Sequence, residues 1–283
     1  MQVVNTVAEL QQQINIWKGQ GNKIVLVPTM GNLHAGHLTL MKHAHSCGDK
    51  VVCSIFVNAL QFDRSEDLQA YPRTPEQDLA ALQDENVDLV FMPEHEEVYA
   101  EEYKLQQNIP KHVLNEQLCG EYRPGFFDGI VEVVARLFHI VNPDVAVFGE
   151  KDYQQLIIIK RLVQDMGFPI QIESVAIQRE VDGLAYSSRN SYLSSNERVQ
   201  ANQIYKTLLE VKTQIELGSQ DFAAIEKQAI DRLTKAGFQP DYVAIRNAKD
   251  LEPASYSTDF IVILVAAWLG KARLIDNLLL QKR

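Results

Sequence analysis

Along the first 175 residues the apolar positions follow two alternating habits. Short unbroken runs rich in β-branched residues, "KIVLV" at 23–27, "VVCSIFV" at 51–57, "VDLVFM" at 87–92, "DVAVF" at 144–148 and "IQIESV" at 170–175, are too short for helices and are expected to be strands. Between them lie helical patterns. One follows Thr6, where Glu9 completes a capping box, and one begins near His34; others are opened by Thr74-Pro75, run over 125–141, or run over 152–166 and stop at Gly167. The strand runs are apolar throughout rather than alternating, as in a parallel sheet covered by helices on both faces. The expected fold class is therefore α/β, a doubly wound parallel sheet of Rossmann-like type.

After Arg189 the order changes. Two helices come in succession, the first capped by Ser194 with Glu197 and the second running "DFAAIEKQAIDRLTKAG" to Gly237. Three strand candidates follow, "DYVAIR", "FIVILVAA" and "RLIDNLLL", which together predict a smaller α+β domain. The boundary is expected between 175 and 190, in the polar segment "REVDGLAYSSRNS", a hinge or lid by composition.

Length agrees with that division, since 283 residues suit one large domain and a smaller one. A formal net charge of -10 argues against a general nucleic-acid or acidic-membrane binder, which needs a basic surface to displace counterions. An anionic ligand must then be held by a few local basic groups. Three cysteines, Cys47, Cys53 and Cys119, form no C-x-x-C pair and leave one over, so a reduced, cytoplasmic chain is expected. No secretory pattern opens the sequence, and the longest apolar run, "FIVILVAAWL" at 260–269, is about half of the roughly 20 residues a membrane helix requires.

The chemistry concentrates in "VPTMGNLHAGHLTL", residues 27–40, between the first long strand and a helix. Ligands of doubly wound sheets sit beyond the carboxyl ends of strands, where this stretch lies. A helix beginning near His34 offers unpaired amides and a partial positive charge, which favour phosphate. His34 and His37, three apart, share one face of its first turn. A zinc site is the rival reading, but H-x-x-H here has neither an inserted glutamate nor a cysteine pair nearby. His45 lies about 12 Å from His37 at helical rise and cannot share its ion. An ordinary polar helix start is the third reading. Neither a P-loop nor a G-x-G-x-x-G fingerprint is present.

Three further stretches sit at strand ends or in the interdomain segment. In "FGEKDYQQL", 148–156, Gly149 would permit a tight turn, Lys151 adds a cation beside a helix start, and Asp152 suits a helix cap, a ribose hydroxyl or Mg²⁺. Since Gln155 follows Gln154, one of the two must face inward or toward the sheet end. "SSRN", 187–190, combines hydroxyls with a guanidinium, either an anion clamp that could close over phosphates or an ordinary solvent loop. "FVNALQFD", 56–63, places Asn58 and Gln61 after a strand, to orient a small polar substrate or simply to satisfy a loop.

With these motifs in order, together with "PTMGNLHAGH", "YPRTPEQD", "RPG-x-FDG", "DGLAYSSRN" and "ILVAAWLGKARLIDN", the chain resembles the pantoate-β-alanine ligase family of the H-x-G-H nucleotidyltransferase superfamily. The resemblance spans nearly the whole chain. It implies a nucleotide- and pantoate-binding domain over 1–176, a small lid domain over 177–283, and a homodimer. It implies that (R)-pantoate attacks the α-phosphorus of ATP to give pantoyl adenylate, from which β-alanine displaces AMP. ATP would contact Met30, Gly31, Asn32, Leu33, His34, Ala35, Gly36 and His37; Gly149, Glu150, Lys151 and Asp152; Gln178; and Tyr186, Ser187, Ser188 and Arg189. His34, His37, Lys151 and Arg189 would be catalytic, while Gln61, Gln155, Asn58 and Arg123 would bind substrate. Mg²⁺ would ride on the phosphates with help from Asp78. Three positions depart from the family pattern: Ala59 where proline is usual, Phe126 where histidine is usual, and Glu132 where a small hydroxyl residue is common.

Overall fold

Each of the five apolar runs forms a strand in the computed structural model, which describes residues 1–62, 68–69, 71–103, 109 and 112–282. They are β2 (Ile24–Thr29), β3 (Lys50–Ile55), β4 (Leu89–Phe91), β5 (Val145–Gly149) and β6 (Gln171–Val175). A sixth strand, β1 (Gln2–Val4), was not signalled by the pattern, because only Val4 of its three residues is buried. All pair in parallel in the order β1-β4-β3-β2-β5-β6. From β2 the chain steps outward through β3 to β4, then returns to β5 on the other side. The order therefore reverses between β2 and β5, whose carboxyl ends lie side by side.

Both faces of this sheet are covered, which explains the unbroken apolar strands. On one face Leu40, Met41 and Ala44 of the helix Ala35–Ala44 and Leu82 of the helix Pro75–Asp84 pack with Val25, Val27, Val51, Cys53 and Val147. The strand residues between these point the other way. There Phe148 meets Phe138 of the long, largely buried helix Phe126–Val141, with ring centroids 6.4 Å apart.

Strand register is fixed at the amino edge by three aspartates that the apolar pattern did not single out. Asp49 accepts the Lys23 amide at 2.8 Å, Asp88 the Val51 amide at 2.9 Å and Asp144 the Ile24 amide at 2.7 Å. Each precedes or opens one strand and caps its neighbour, so a slip of one residue would strand both a carboxylate and an amide.

The later part of the chain forms an antiparallel sheet of β7 (Gln239–Asn247), β8 (Phe260–Leu269) and β9 (Ala272–Gln281). The expected first helix is divided at Asn202 into Ser195–Ala201 and Gln203–Glu216. Leu208, Val211 and Ile215, with Ile225 and Leu233 of the helix Phe222–Lys235, pack against Val243, Ile263 and Val265. Two units result: Met1–Glu150 with Ile158–Ala176, and Lys151–Ile157 with Ile177–Arg283. Among the described residues no helix is long and apolar enough to cross a membrane.

Replacing Asp144 with alanine is expected to destabilise the protein by about 1–2 kcal/mol in urea unfolding. Turnover of the folded protein should be unchanged, because Asp144 lies at the amino edge of the sheet.

Candidate active site

The turn that leaves β2 adopts an unusual backbone. Gly31 and Asn32 both have left-handed φ, 76° and 48°, and a Cβ on Gly31 would lie 3.0 Å from both Asp78 Oδ2 and Ile55 Cγ2. Asp78, which is buried, binds the amides that this path exposes: Asn32 N–H donates to Oδ2 at 2.9 Å and Leu33 N–H to Oδ1 at 2.8 Å. The Thr74 hydroxyl adds a third bond to Oδ1 at 3.2 Å. With both oxygens turned to the loop, Asp78 is an anchor of the turn.

Held in this way, the chain enters the helix Ala35–Ala44 with His34 as its N-cap residue. His34 and His37 stack with centroids 4.0 Å apart and planes 28° apart. The His34 amide donates to His37 Nδ1 at 3.3 Å, so in the neutral ring the His37 proton lies on Nε2. The first amides of the helix have no intrahelical acceptor and carry its partial positive charge. An anion placed here meets ring N–H and main-chain N–H groups together.

Beside it, the chain leaving β3 runs through Asn58, which caps the 3₁₀ turn Ala59–Gln61. Gln61 Nε2 donates to Met30 Sδ at 2.8 Å, bringing this turn against the one after β2. Arg123 is buried: it donates to the Gln61 carbonyl at 3.2 Å, and its guanidinium lies 3.5 Å from the centroid of the Phe126 ring. Phe126 thus gives Arg123 a flat stacking partner where the family pattern has histidine. Glu132, another departure, pairs with Arg136 at 3.2 Å.

Gly149 ends β5, and a Cβ there would find only Leu40 Cδ2, at 3.9 Å. Its φ is not left-handed, so the expected tight turn is not what calls for glycine. Glu150 accepts from the Ser174 hydroxyl at 3.0 Å, and a 3₁₀ turn Glu150–Asp152 leads into the helix Tyr153–Met166. Gln154 is the inward-facing member of its pair; Gln155 is half-buried.

Within the second unit, Lys151 is largely covered and 3.9 Å from Asp152. Its carbonyl accepts from Asn277 Nδ2 at 3.0 Å, and the Tyr153 hydroxyl donates to the Ala248 carbonyl at 2.9 Å. Next to Asn277, Asp276 receives Arg179 through two bonds of 2.6 and 2.9 Å. Burial pushes the Asp276 carboxyl above its ordinary range, against the pull of Arg179. The segment expected as a hinge is a hairpin turning at Gly183, braced by Arg198 against Glu180 and Asp182 at 2.6 Å each. Gln178 accepts the Tyr186 amide at 3.1 Å, and Ser187 caps the turn Ser188–Tyr192 that carries Arg189.

The structure thus brings together Met30–His37, Asn58, Gln61 and Arg123 in the first unit. Lys151, Asp152 and Gln155, like Gln178 and Tyr186–Arg189, belong to the second. Asp78 and Asn277 had weaker signals: a carboxylate in "YPRTPEQD" after a proline-opened helix, and polar Asp-Asn inside the apolar strand "RLIDNLLL". Among the described residues no group of three or more His, Cys, Asp or Glu side chains suits a metal ion.

A doubly wound parallel sheet with paired imidazoles at its switch point sets the class, an α/β enzyme. The pantoate-beta-alanine ligase family model matches residues 2–279. A pantothenate synthetase from Aeromonas hydrophila is 50% identical over 277 residues, covering 98% of this chain and 97% of that protein. The crystal structure of pantothenate synthetase from Thermus thermophilus superposes with a TM-score of 0.90 at 42% identity, covering 98% and 99% of the two chains. Pantoate-beta-alanine ligase from Francisella tularensis, complexed with beta-gamma ATP and beta-alanine, gives a TM-score of 0.82 at 34% identity, over 99% and 97%. The chain belongs to the pantoate-beta-alanine ligase family.

Replacing Asp78 with asparagine would set an amide N–H₂ against a main-chain N–H. It is expected to cost about 2–3 kcal/mol in thermal or urea unfolding. A change below about 0.5 kcal/mol, within the range of an ordinary surface substitution, would remove Asp78 as the anchor of the turn.

Proposed function

We propose that the chain activates (R)-pantoate with ATP and passes the acyl group to β-alanine, releasing AMP and pyrophosphate. The observation that carries this reading is the His34–His37 turn at the switch point, with Gln61 bonded to Met30 beside it, in a chain matching the family model over residues 2–279. A relative whose solved complex holds an ATP compound and beta-alanine supports the same substrates.

In the first step a pantoate carboxylate oxygen bonds to the α-phosphorus and pyrophosphate leaves. A carboxylate is already ionised near pH 7, so the step needs no general base. It needs two mutually repelling anions aligned, and the charge developing on phosphate oxygens stabilised. His34, His37, Lys151 and Arg189 are assigned that work, with the His37 Nε2 proton as a donor. Met30–His37, Gly149–Asp152, Gln178 and Tyr186–Ser188 make up the rest of the nucleotide contacts. Asn32 and Leu33 contribute by shape, since their amides are taken by Asp78. Gln61 and Gln155 hold pantoate, with Asn58 and Arg123 behind Gln61. In the second step the β-alanine nitrogen bonds to the acyl carbon, AMP departs with the bridging oxygen, and the amine gives up a proton.

Mg²⁺ would enter this site as a companion of the nucleotide, with Asp78, whose oxygens face the turn and accept its amides, as the neighbouring carboxylate. Bound to the phosphates, it neutralises their charge. The same reading makes the protein a cytoplasmic homodimer.

Exchange of labelled pyrophosphate into ATP is expected only when pantoate is present; exchange without it overturns the reading. Lys151→Ala is expected to lower kcat/KM by about 10²-fold, the size of one lost charge-stabilising donor. A loss under about threefold, well short of such a donor's effect, would take Lys151 out of the mechanism.

A further inference from the structure

The hydrogen bonds that orient Gln61 begin outside the candidate site, at Tyr99. This residue follows the short helix His95–Val98, and its hydroxyl donates to Asn58 Oδ1 at 2.9 Å. Asn58 is 1% exposed. Its Oδ1 also accepts the Leu60 amide at 3.3 Å, while its Nδ2 donates to the Gly129 carbonyl at 3.0 Å and to Gln61 Oε1 at 3.3 Å. A side-chain amide has nearly the same shape when rotated by 180°, so its partners decide which end is which. Here two donors face the oxygen and two acceptors face the nitrogen.

The same logic passes to Gln61. Its oxygen is taken by Asn58, so the end left to face the turn after β2 is the N–H₂, now on Met30 Sδ at 2.8 Å. A thioether is a weak acceptor, and an anionic oxygen would displace it readily. The backbone around this relay has little freedom: a Cβ on Gly129 would lie 2.4 Å from the Leu60 carbonyl oxygen. The Tyr99 ring is fixed independently of its hydroxyl, stacked on His95 with centroids 4.5 Å apart and with the Arg136 guanidinium 4.7 Å from its centroid. Burial first, then the Glu132 charge, push the Tyr99 hydroxyl above its ordinary pKa, so it remains a protonated donor.

We infer that Tyr99 is a positioning residue for the acid substrate: its hydroxyl, acting through Asn58, keeps the Gln61 Nε2 donor turned toward the pantoate oxygens. The inference rests on the proposed role of Gln61 in holding pantoate. It assigns Tyr99 to pantoate and not to ATP.

Steady-state kinetics of Tyr99→Phe and Gln61→Ala, with pantoate and ATP varied separately and folding followed by thermal melts, test it. Tyr99→Phe keeps the stacked ring and removes one hydrogen bond. It is expected to raise the pantoate KM roughly fivefold, with the ATP KM and kcat within about twofold of the parent. Gln61→Ala is expected to raise the same KM further. An unchanged pantoate KM in Tyr99→Phe, a fall in kcat alone, or equal rises in both KM values overturns the inference if Gln61→Ala still raises the pantoate KM. If Gln61→Ala leaves that KM unchanged, the reading of Gln61 fails first, and the role of Tyr99 with it.

Discussion

A carboxylate supplied by the chain to its own backbone underlies the geometry of the site. The turn after β2 passes through two consecutive left-handed residues, a path that leaves successive amides pointing inward. Without a partner each would cost about as much as the hydrogen bond it forgoes. Asp78 meets both, and the space it occupies is left by Gly31. The stacked histidines and the open first turn of the helix are delivered to the switch point by that arrangement. The turn is therefore a preformed surface whose most demanding amides are already satisfied.

A second organising idea is that polar side chains here set the direction of other polar side chains. Arg123 is anchored by a stacked ring and a main-chain carbonyl, and Asn58 by four partners. Neither is a flexible surface group. Such networks hold groups to tight tolerances only when every member is paired, because an unsatisfied buried amide would relax by rotating. Two of the three departures from the family pattern fit this view, since Phe126 and Glu132 each have an arginine partner, Arg123 and Arg136.

Much of the fold could be read in advance because it rests on periodicity. Continuous apolar runs marked five strands, and the caps Thr6, Ser194 and Gly167 marked helix ends. What escaped notice has physical causes. β1 buries one side chain, too little for a pattern, and Asn202 interrupts a helix whose apolar spacing continues past it. The histidine turn was legible because two imidazoles and two glycines are rare together. Tyr99 and Asp276 were not, nor was the hold of Asp78 on the turn, since each acts on a partner far away in sequence. Gly149 was read for its conformational freedom, whereas its surroundings show only room above a strand end.

The Lys151 turn carries a consequence for modularity. It is continuous with β5 through the peptide chain, yet its hydrogen bonds go to Asn277 and, through Tyr153, to Ala248. The backbone accordingly passes between the two units three times, after Glu150, Ile157 and Ala176. A C-terminal piece excised after residue 176 would leave this lysine behind without the strands that shape its loop. Shuffling that treats the last hundred or so residues as a detachable cassette must therefore carry the short excursion at 151–157 with it, or rebuild its anchors.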